Sequence, residues 1–510
     1  SVLISTSGTA GANYYPALIE AFRENVPIIA ITADRPFEAI RSGANQVIEQ
    51  DGLYGSFVKR SLSLPAACKE IAPEVLLLHA AHMIDEAHIA PMGPVHVNIP
   101  FREPLEPGFC GDDEYIKGYL VSAEKALCKR TRSNTRSSVE SAAIADTELL
   151  REIWNILENA GRGLVIAGRP SMGVERGEIL AFTEMLGWPC FYDITSSLKH
   201  MADFDISIPD PESEMMRRSF EKYRPDVVLR LGRGTVTKHF DRLLREVSPR
   251  FHIIVSPETG ISDPSYCLTH RLSVREDLFV RSAPPSLKKG RRVMPPPAWR
   301  LTADAKDFKN LVRSRIRELP FSLPAISDAL LSRLAGDSVL FLGNSLSIRV
   351  FDSLAFSDRH HGFMVKANRG VSGIEGNLSS SLGISDGSGK KVTALLGDIS
   401  LIHDLNAVLE LGRHRMPLIA IVVNNGGGEI FRKMPISSSP EVLVPYLSTP
   451  HSFDFSGICR MAGLNYAKAA EISGFCEAYD RLSVSDFPAL IECAIPQGID
   501  AEAITSLLSL

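Results

Sequence analysis

Short apolar, β-branched runs alternate along this chain with longer stretches whose apolar residues recur at helical spacing, and that alternation predicts α/β units built on parallel sheets. Val2 to Thr6, Ile28 to Thr32 and Val95 to Ile99 read as strands of a first unit. Leu164 to Ala167, Val227 to Leu231 and Ile253 to Val255 read as strands of a second, and Val392 to Leu396 with Leu418 to Val423 as strands of a third. Between the last two runs, Leu401, Leu405 and Val408 repeat at i, i+4, i+7, with Ile402 and Leu409 alongside. A helix there joins two strands and forces them parallel.

Breaks in this pattern divide the chain into three α/β domains, which 510 residues can supply. The first is expected over residues 1–107, the central one over 142–282 and the third over 303–510. The stretch 108–141, with Arg130-Thr131-Arg132-Ser133, has linker composition, and 283–302 is a second linker stiffened by proline. Ser1 to Thr6 reads as a buried strand with no basic segment before it and no initiating Met, so an upstream segment, with any targeting sequence, is expected outside this sequence.

Composition narrows the function classes. A net charge of −5 with no basic stripe argues against nucleic acid. The longest apolar runs are far shorter than the ~18 residues of a membrane helix, which predicts a soluble protein. The eight cysteines form no CxxC and no zinc spacing, so they read as reduced thiols in a reducing compartment.

The candidate chemistry sits where the third unit's strands end. Gly397-Asp398 and Asn424-Asn425 follow the two runs, and Gly426-Gly427-Gly428 comes next. Carboxyl ends of parallel strands are where α/β sheets bind ligands, and carboxylate, amide and carbonyl oxygens are hard donors suited to magnesium. Asp398 and Asn425 taken singly are equally good helix caps, but three consecutive glycines go beyond a cap and let backbone approach a diphosphate. Ser345 and Arg349 lie at i, i+4, so a helix over Ser345 to Ser353 puts hydroxyl and guanidinium on one face, able to clamp a carboxylate. Arg35, beside Asp34, and Arg369 are further arginines whose simplest reading is a solvated surface residue. Gly232-Arg233-Gly234 fails as a dinucleotide turn because Thr237 stands where the third glycine belongs, and Gly387-Ser388-Gly389-Lys390 lacks the opening glycine of a phosphate loop.

The run from Gly397 to Phe431 resembles the magnesium and diphosphate motif of thiamine-diphosphate enzymes. Its DLNA and NNGGGEIF parts are similar to the 2-succinyl-5-enolpyruvyl-6-hydroxy-3-cyclohexene-1-carboxylate synthase branch of menaquinone and phylloquinone biosynthesis. TSGTAGANYYPALIEA (6–21), ITADRP followed by GANQ (31–46), LGNSLSIR (342–349) and NRGVSGIEG (368–376) agree in the same order. The resemblance implies a transferase that decarboxylates 2-oxoglutarate and adds the succinyl-semialdehyde unit to isochorismate. It implies thiamine diphosphate with Mg2+ or Mn2+ as cofactors, the first domain binding the pyrimidine and the third the diphosphate. It implies Asp398, Asn425 and the Gly427 carbonyl as metal ligands, with Ile374, Ile430, Phe431 and Met434 around the cofactor. Arg35, Gln46, Lys238, Ser345, Arg349 and Arg369 are then substrate-binding, with Arg349 and Arg369 on the carboxylates of 2-oxoglutarate or isochorismate. A homodimer or homotetramer with active sites between subunits is implied, in cytoplasm or plastid. The glutamate that such enzymes place before the TSGTA block has no match here, so no catalytic residue is assigned. An acetohydroxyacid synthase-like enzyme, or a cofactor-binding chain without turnover, are the competing readings.

Overall fold

The computed structural model describes residues 1–68, 70–103, 114–132, 147–202, 205–258, 263–287, 296–357, 359–414, 417–485 and 487–510. They divide into two compact units, Ser1–Ala143 with Arg369–Ser372, and Ile144–Asn368 with Gly373–Leu510. Every strand pairing among the described residues is parallel.

The first unit holds a sheet of β1 (Val2–Ser5), β2 (Ile29–Asp34), β3 (Ser61–Ser63) and β4 (Val95–Pro100) in the order β1-β2-β4-β3. β1 is an edge strand whose residues alternate between exposed and half-buried, not the buried strand expected, because it pairs on one side only. Below β2 and β4 runs a buried polar network. Thr32 Oγ1 donates to Asn98 Oδ1 at 2.7 Å, so its oxygen accepts from His96 Nε2 at 2.8 Å, and Asn98 Nδ2 donates to Asp34 Oδ2 at 2.7 Å. Gln50 closes it, donating to Ala33 O and Asn98 Oδ1 while accepting from Gly8 N. Glu114–Arg132 is a helix inside the stretch whose composition suggests a linker; the rest of the Arg130 to Ser138 run, beyond Arg132, lies outside the described residues.

The second unit carries two sheets. One has β5 (Gly163–Ala167), β6 (Cys190–Tyr192), β7 (Val227–Leu231), β8 (Phe251–Val255) and β9 (His270–Leu272) in the order β6-β5-β7-β8-β9. The other has β10 (Val339–Leu342), β11 (Met364–Lys366), β12 (Val392–Gly397), β13 (Leu418–Asn424), β14 (Asn465–Ala469) and β15 (Ala489–Ala494) in the order β11-β10-β12-β13-β15-β14. β5, β7, β12 and β13 are buried on both faces almost throughout, which is why they read as continuous apolar runs. Each fully buried Leu, Ile or Val there contributes roughly 1.5–3 kcal/mol.

Two turns of the β5 sheet are stitched together. Gly168 N donates to Leu231 O and Arg233 N to Arg169 O, each at 2.9 Å. A Cβ on Gly168 would stand 1.8 Å from Arg233 O, and one on Gly232 2.5 Å from Arg169 O. The glycines that mimic a dinucleotide turn serve backbone packing. Gly389, in the incomplete phosphate-loop motif, is the left-handed cap of the helix Asn377–Ser388. The helix between β12 and β13 is broken in two, Asp398–Ile402 and Leu405–His414. Asp404 lies in the break, and its carboxylate accepts from the Ser379 amide at 2.8 Å and the Ser379 hydroxyl at 2.7 Å.

Candidate active site

β12 and β13 run in register from Val392 opposite Leu418 to Gly397 opposite Val423, so the turns that follow them open at the same edge of the sheet. Asp398 bridges those turns. Its Oδ2 accepts from Gly427 N at 3.0 Å and its Oδ1 from Ile399 N at 2.7 Å. The residue is buried, and burial raises its pKa against the opposing pull of the Ile399 amide and the nearby His451 ring. A buried carboxylate short of positive charge is a place where a divalent cation gains most.

The glycine loop is shaped by close approach. Gly427 has φ +144°, and a Cβ there would lie 2.3 Å from Ser448 O. Two segments grip this loop. Gly428 N donates to Ser448 O at 2.7 Å and His451 N to Gly426 O at 3.2 Å from one side. From the other, Gln497 Nε2 donates to Gly426 O at 2.9 Å and Gly498 N to Glu429 Oε2 at 3.1 Å. Asn425 Nδ2 donates to Asp500 Oδ2 at 2.8 Å, and Asp500 Oδ1 accepts from Leu323 N at 2.6 Å. With its nitrogen engaged, Asn425 has its amide oxygen left as a donor atom for a ligand. A carboxylate, an amide oxygen and the Gly427 carbonyl suit a hard cation, and the bare backbone suits a diphosphate. The residues therefore fit a metal-diphosphate group. Among the described residues no cluster of three His, Cys, Asp or Glu side chains offers a metal site of another kind.

Asp500 and His451 carry no signal in the sequence. Asp500, in the first turn of the helix Ile499–Leu508, looks like an ordinary helix-start acid, and only its bond to Asn425 reveals that it also orients a ligand-holding amide. His451 Nδ1 accepts from Phe453 N at 3.2 Å, so the proton sits on Nε2, which lies 3.2 Å from Asp398 Oδ2. No spacing marks either residue.

The other candidates fall into two groups. In the second unit, Ile374 O accepts from Ser400 Oγ at 2.5 Å and Asn377 Nδ2 at 2.7 Å, and Ser400 belongs to the short helix that Asp398 begins. Ile374 is thereby tied to the metal turn. Ile430 and Phe431 sit half-buried in the 3-10 turn Glu429–Lys433, with Met434 more exposed at its end. The expected Ser345 helix begins one residue later, at Leu346, and Ser345 caps it with φ +74°. Arg349 Nη1 donates to Ser345 O at 2.6 Å, so the pair meets through the carbonyl. Lys238 is exposed at the start of the helix His239–Val247. In the first unit, Gln46, at φ +59°, lines a cavity of about 470 Å3 with Thr6 to Ala10 and Asn45. Arg35 follows β2, and Asp34 Oδ1 accepts from its backbone N at 2.7 Å. Arg369 opens a loop whose next two amides, Gly370 N and Val371 N, both donate to the Glu20 carboxylate, at 2.7 and 2.8 Å.

The chain is similar in sequence and in fold to known proteins. Residues 132–342 match the family described as "Middle domain of thiamine pyrophosphate", and 354–493 match "Thiamine pyrophosphate enzyme, C-terminal TPP binding domain". The chain is 37% identical to the 2-succinyl-5-enolpyruvyl-6-hydroxy-3-cyclohexene-1-carboxylate synthase of Syntrophus aciditrophicus, over 97% of this chain and 84% of that protein. It is 34% identical to the synthase of the same name from Chlorobaculum tepidum, over 94% and 80%. In fold it is similar to the benzoylformate decarboxylase of Polynucleobacter necessarius, with TM-score 0.70 at 15% identity over 97% of this chain and 87% of that one.

Proposed function

The chain belongs to the family of 2-succinyl-5-enolpyruvyl-6-hydroxy-3-cyclohexene-1-carboxylate synthases, thiamine-diphosphate-dependent enzymes of menaquinone biosynthesis, and on that footing we propose how its residues divide the work. The reaction is a transfer: 2-oxoglutarate loses carbon dioxide and its succinyl-semialdehyde unit is added to isochorismate. Thiamine diphosphate, when bound, supplies the nucleophilic carbon for both stages. Asp398, Asn425 and the Gly427 carbonyl would hold magnesium or manganese, and Gly426 to Gly428 would offer bare backbone to the diphosphate. Ile374, Ile430, Phe431 and Met434 would supply apolar surface to the cofactor.

Both substrates are dianions, so the remaining residues act by orienting carboxylates. Ser345, Arg349, Arg369, Arg35, Gln46 and Lys238 are the groups for this; a planar guanidinium fixes a carboxylate's direction where a point charge does not. Active sites shared between subunits of a homodimer or homotetramer complete the reading, which light scattering with and without cofactor checks.

The observation that carries it is the Asp398 carboxylate meeting the Gly427 amide across two parallel strand ends. The test supplies 2-oxoglutarate and isochorismate with thiamine diphosphate and Mg2+, following carbon dioxide and isochorismate together. Equal consumption of both substrates is expected. Carbon dioxide release with isochorismate untouched would make the chain a simple decarboxylase instead.

A further inference from the structure

Behind the helix Leu346–Leu354, the second unit buries three carboxylates that the proposed reaction does not employ. These are Asp193, Asp210 and Asp352, none more than 2% exposed. Asp193 follows β6. Its Oδ1 accepts from the Thr195 amide at 2.8 Å and from the Thr195 hydroxyl, and its Oδ2 accepts from Val236 N at 2.6 Å. Val236 is two residues before Lys238. Asp352 lies three residues after Arg349 on the same helix, and its Oδ1 accepts from Ile194 N at 2.8 Å. Asp193 and Ile194 are adjacent, so a continuous line of carboxylate-to-amide bonds runs from the Arg349 helix to the Lys238 loop. Beyond Lys238 the loop is pinned again. Thr237 Oγ1 accepts from His239 N at 3.0 Å, and His239 Nδ1 lies 2.9 Å from Asp210 Oδ1, which also accepts from Glu212 N at 2.8 Å.

Stability does not explain this arrangement. Asp352 Oδ2 and Asp210 Oδ2 are buried with no hydrogen-bond partner, and the nearest cation to Asp352, Lys199 Nζ, is 3.7 Å from its Oδ1 while donating to its backbone carbonyl. Burial, and then the neighbouring Asp193, push the Asp352 pKa well up. Such a cluster is unfavourable where apolar side chains would pack freely. What carboxylates provide and apolar groups do not is direction: each fixes a named amide at hydrogen-bond distance.

We propose that Asp352 and Asp193 form a positioning relay that sets the Lys238 loop of the β5 sheet relative to the Arg349 helix of the β12 sheet, so that both cations meet the carboxylates of one dianionic substrate. The relay rests on the reading of Lys238 and Arg349 as substrate residues. Neither aspartate touches substrate; they act through the loop and the helix.

A double-mutant cycle on KM tests it. Asp193→Asn replaces one of the two accepting oxygens by an NH2 that faces donors and frees the loop, so KM for 2-oxoglutarate or isochorismate should rise roughly tenfold with kcat within about twofold. Lys238→Ala alone should raise the same KM, and the double variant should be no worse than Lys238→Ala. Circular dichroism and thermal melting establish that each variant is folded. Should Asp193→Asn fail to fold, Asp352→Leu, which removes the acceptor for Ile194 N together with the carboxylate beside Lys199, takes its place in the cycle. An inert Lys238→Ala overturns the substrate role of Lys238 and the relay with it. A potent Lys238→Ala whose effect simply adds to that of the aspartate variant overturns the relay alone.

Discussion

Asp398 is the only carboxylate in the proposed metal set, and the loop that faces it offers neutral oxygens alone. Asp398→Ala should therefore abolish Mg2+-dependent binding of thiamine diphosphate in calorimetry, and unchanged affinity would remove Asp398 from the set. On the proposed reading Arg349 and Arg369 hold substrate rather than cofactor. Their alanine variants should bind cofactor normally while kcat/KM falls about 10- to 100-fold, the scale of a lost charge-assisted contact; lysine at either place should restore little. Wild-type kinetics in both variants would return them to the surface. At this scale the sequence is readable where chemistry and spacing coincide, as at Asp398, Asn425 and the glycine run. It is silent for Asp500, His451 and Asp193, because what gives them a role is a partner 75, 53 and 43 residues away in the chain. A long-range partner leaves no local signature.

Among the elements, the turns after β12 and β13 contain glycines of two kinds. Gly427 has a positive φ and no room for a Cβ, whereas Gly397 sits at φ −83° with nothing within 4 Å of where a Cβ would go. The fold needs the first glycine; on the proposed reading it is a closely approaching ligand that needs the second. Gly427→Ala should lower stability by about 1–3 kcal/mol, read from urea midpoints. Gly397→Ala should leave the midpoint unchanged yet weaken cofactor binding. A destabilised Gly397→Ala with normal affinity would reverse that division. The eight strands read from the sequence end within about two residues of those observed, and burial on both faces explains the unbroken apolar runs of β5, β7, β12 and β13, whereas β3, β6, β9, β10, β11, β14 and β15 are not among those read. The helix between β12 and β13 reads as continuous since the apolar period does persist across Asp404, where the chain breaks and the carboxylate is held by Ser379 of a different helix.

For the whole molecule, acid should be the weak side. His96 and His252 are fully buried, and burial lowers both pKa values to about 4; His200 is lowered well below the ordinary value for the same reason. A histidine neutral when folded but free to charge when unfolded lets the unfolded chain bind the extra proton. The contribution of His96 and His252 is then complete above pH 6.5 and falls as pH drops toward 4, by at most about 3 kcal/mol for each of these two. Denaturation midpoints at pH 7, 6 and 5 should decline in that order, and His96→Gln should flatten part of the slope. A flat profile would mean that protons reach these rings without unfolding.

The stitched turns after β5 and β7 also determine what this enzyme could become. A nucleotide's pyrophosphate would need the space now filled by the carbonyls of Arg169 and Arg233, which already stand against Gly168 and Gly232 with no clearance. Side-chain replacement cannot open that gap, because the obstruction is main chain. Redesign toward a flavin or adenine nucleotide would have to lengthen a turn, and fluorescence titration of the natural chain with ADP or FAD should find no saturable site. If one appeared, the ligand would have had to break the Arg233 to Arg169 bond, and exchange of the Arg233 amide with deuterated solvent would quicken on binding. The β5 sheet thus presents the Lys238 loop beside turns that main chain holds shut.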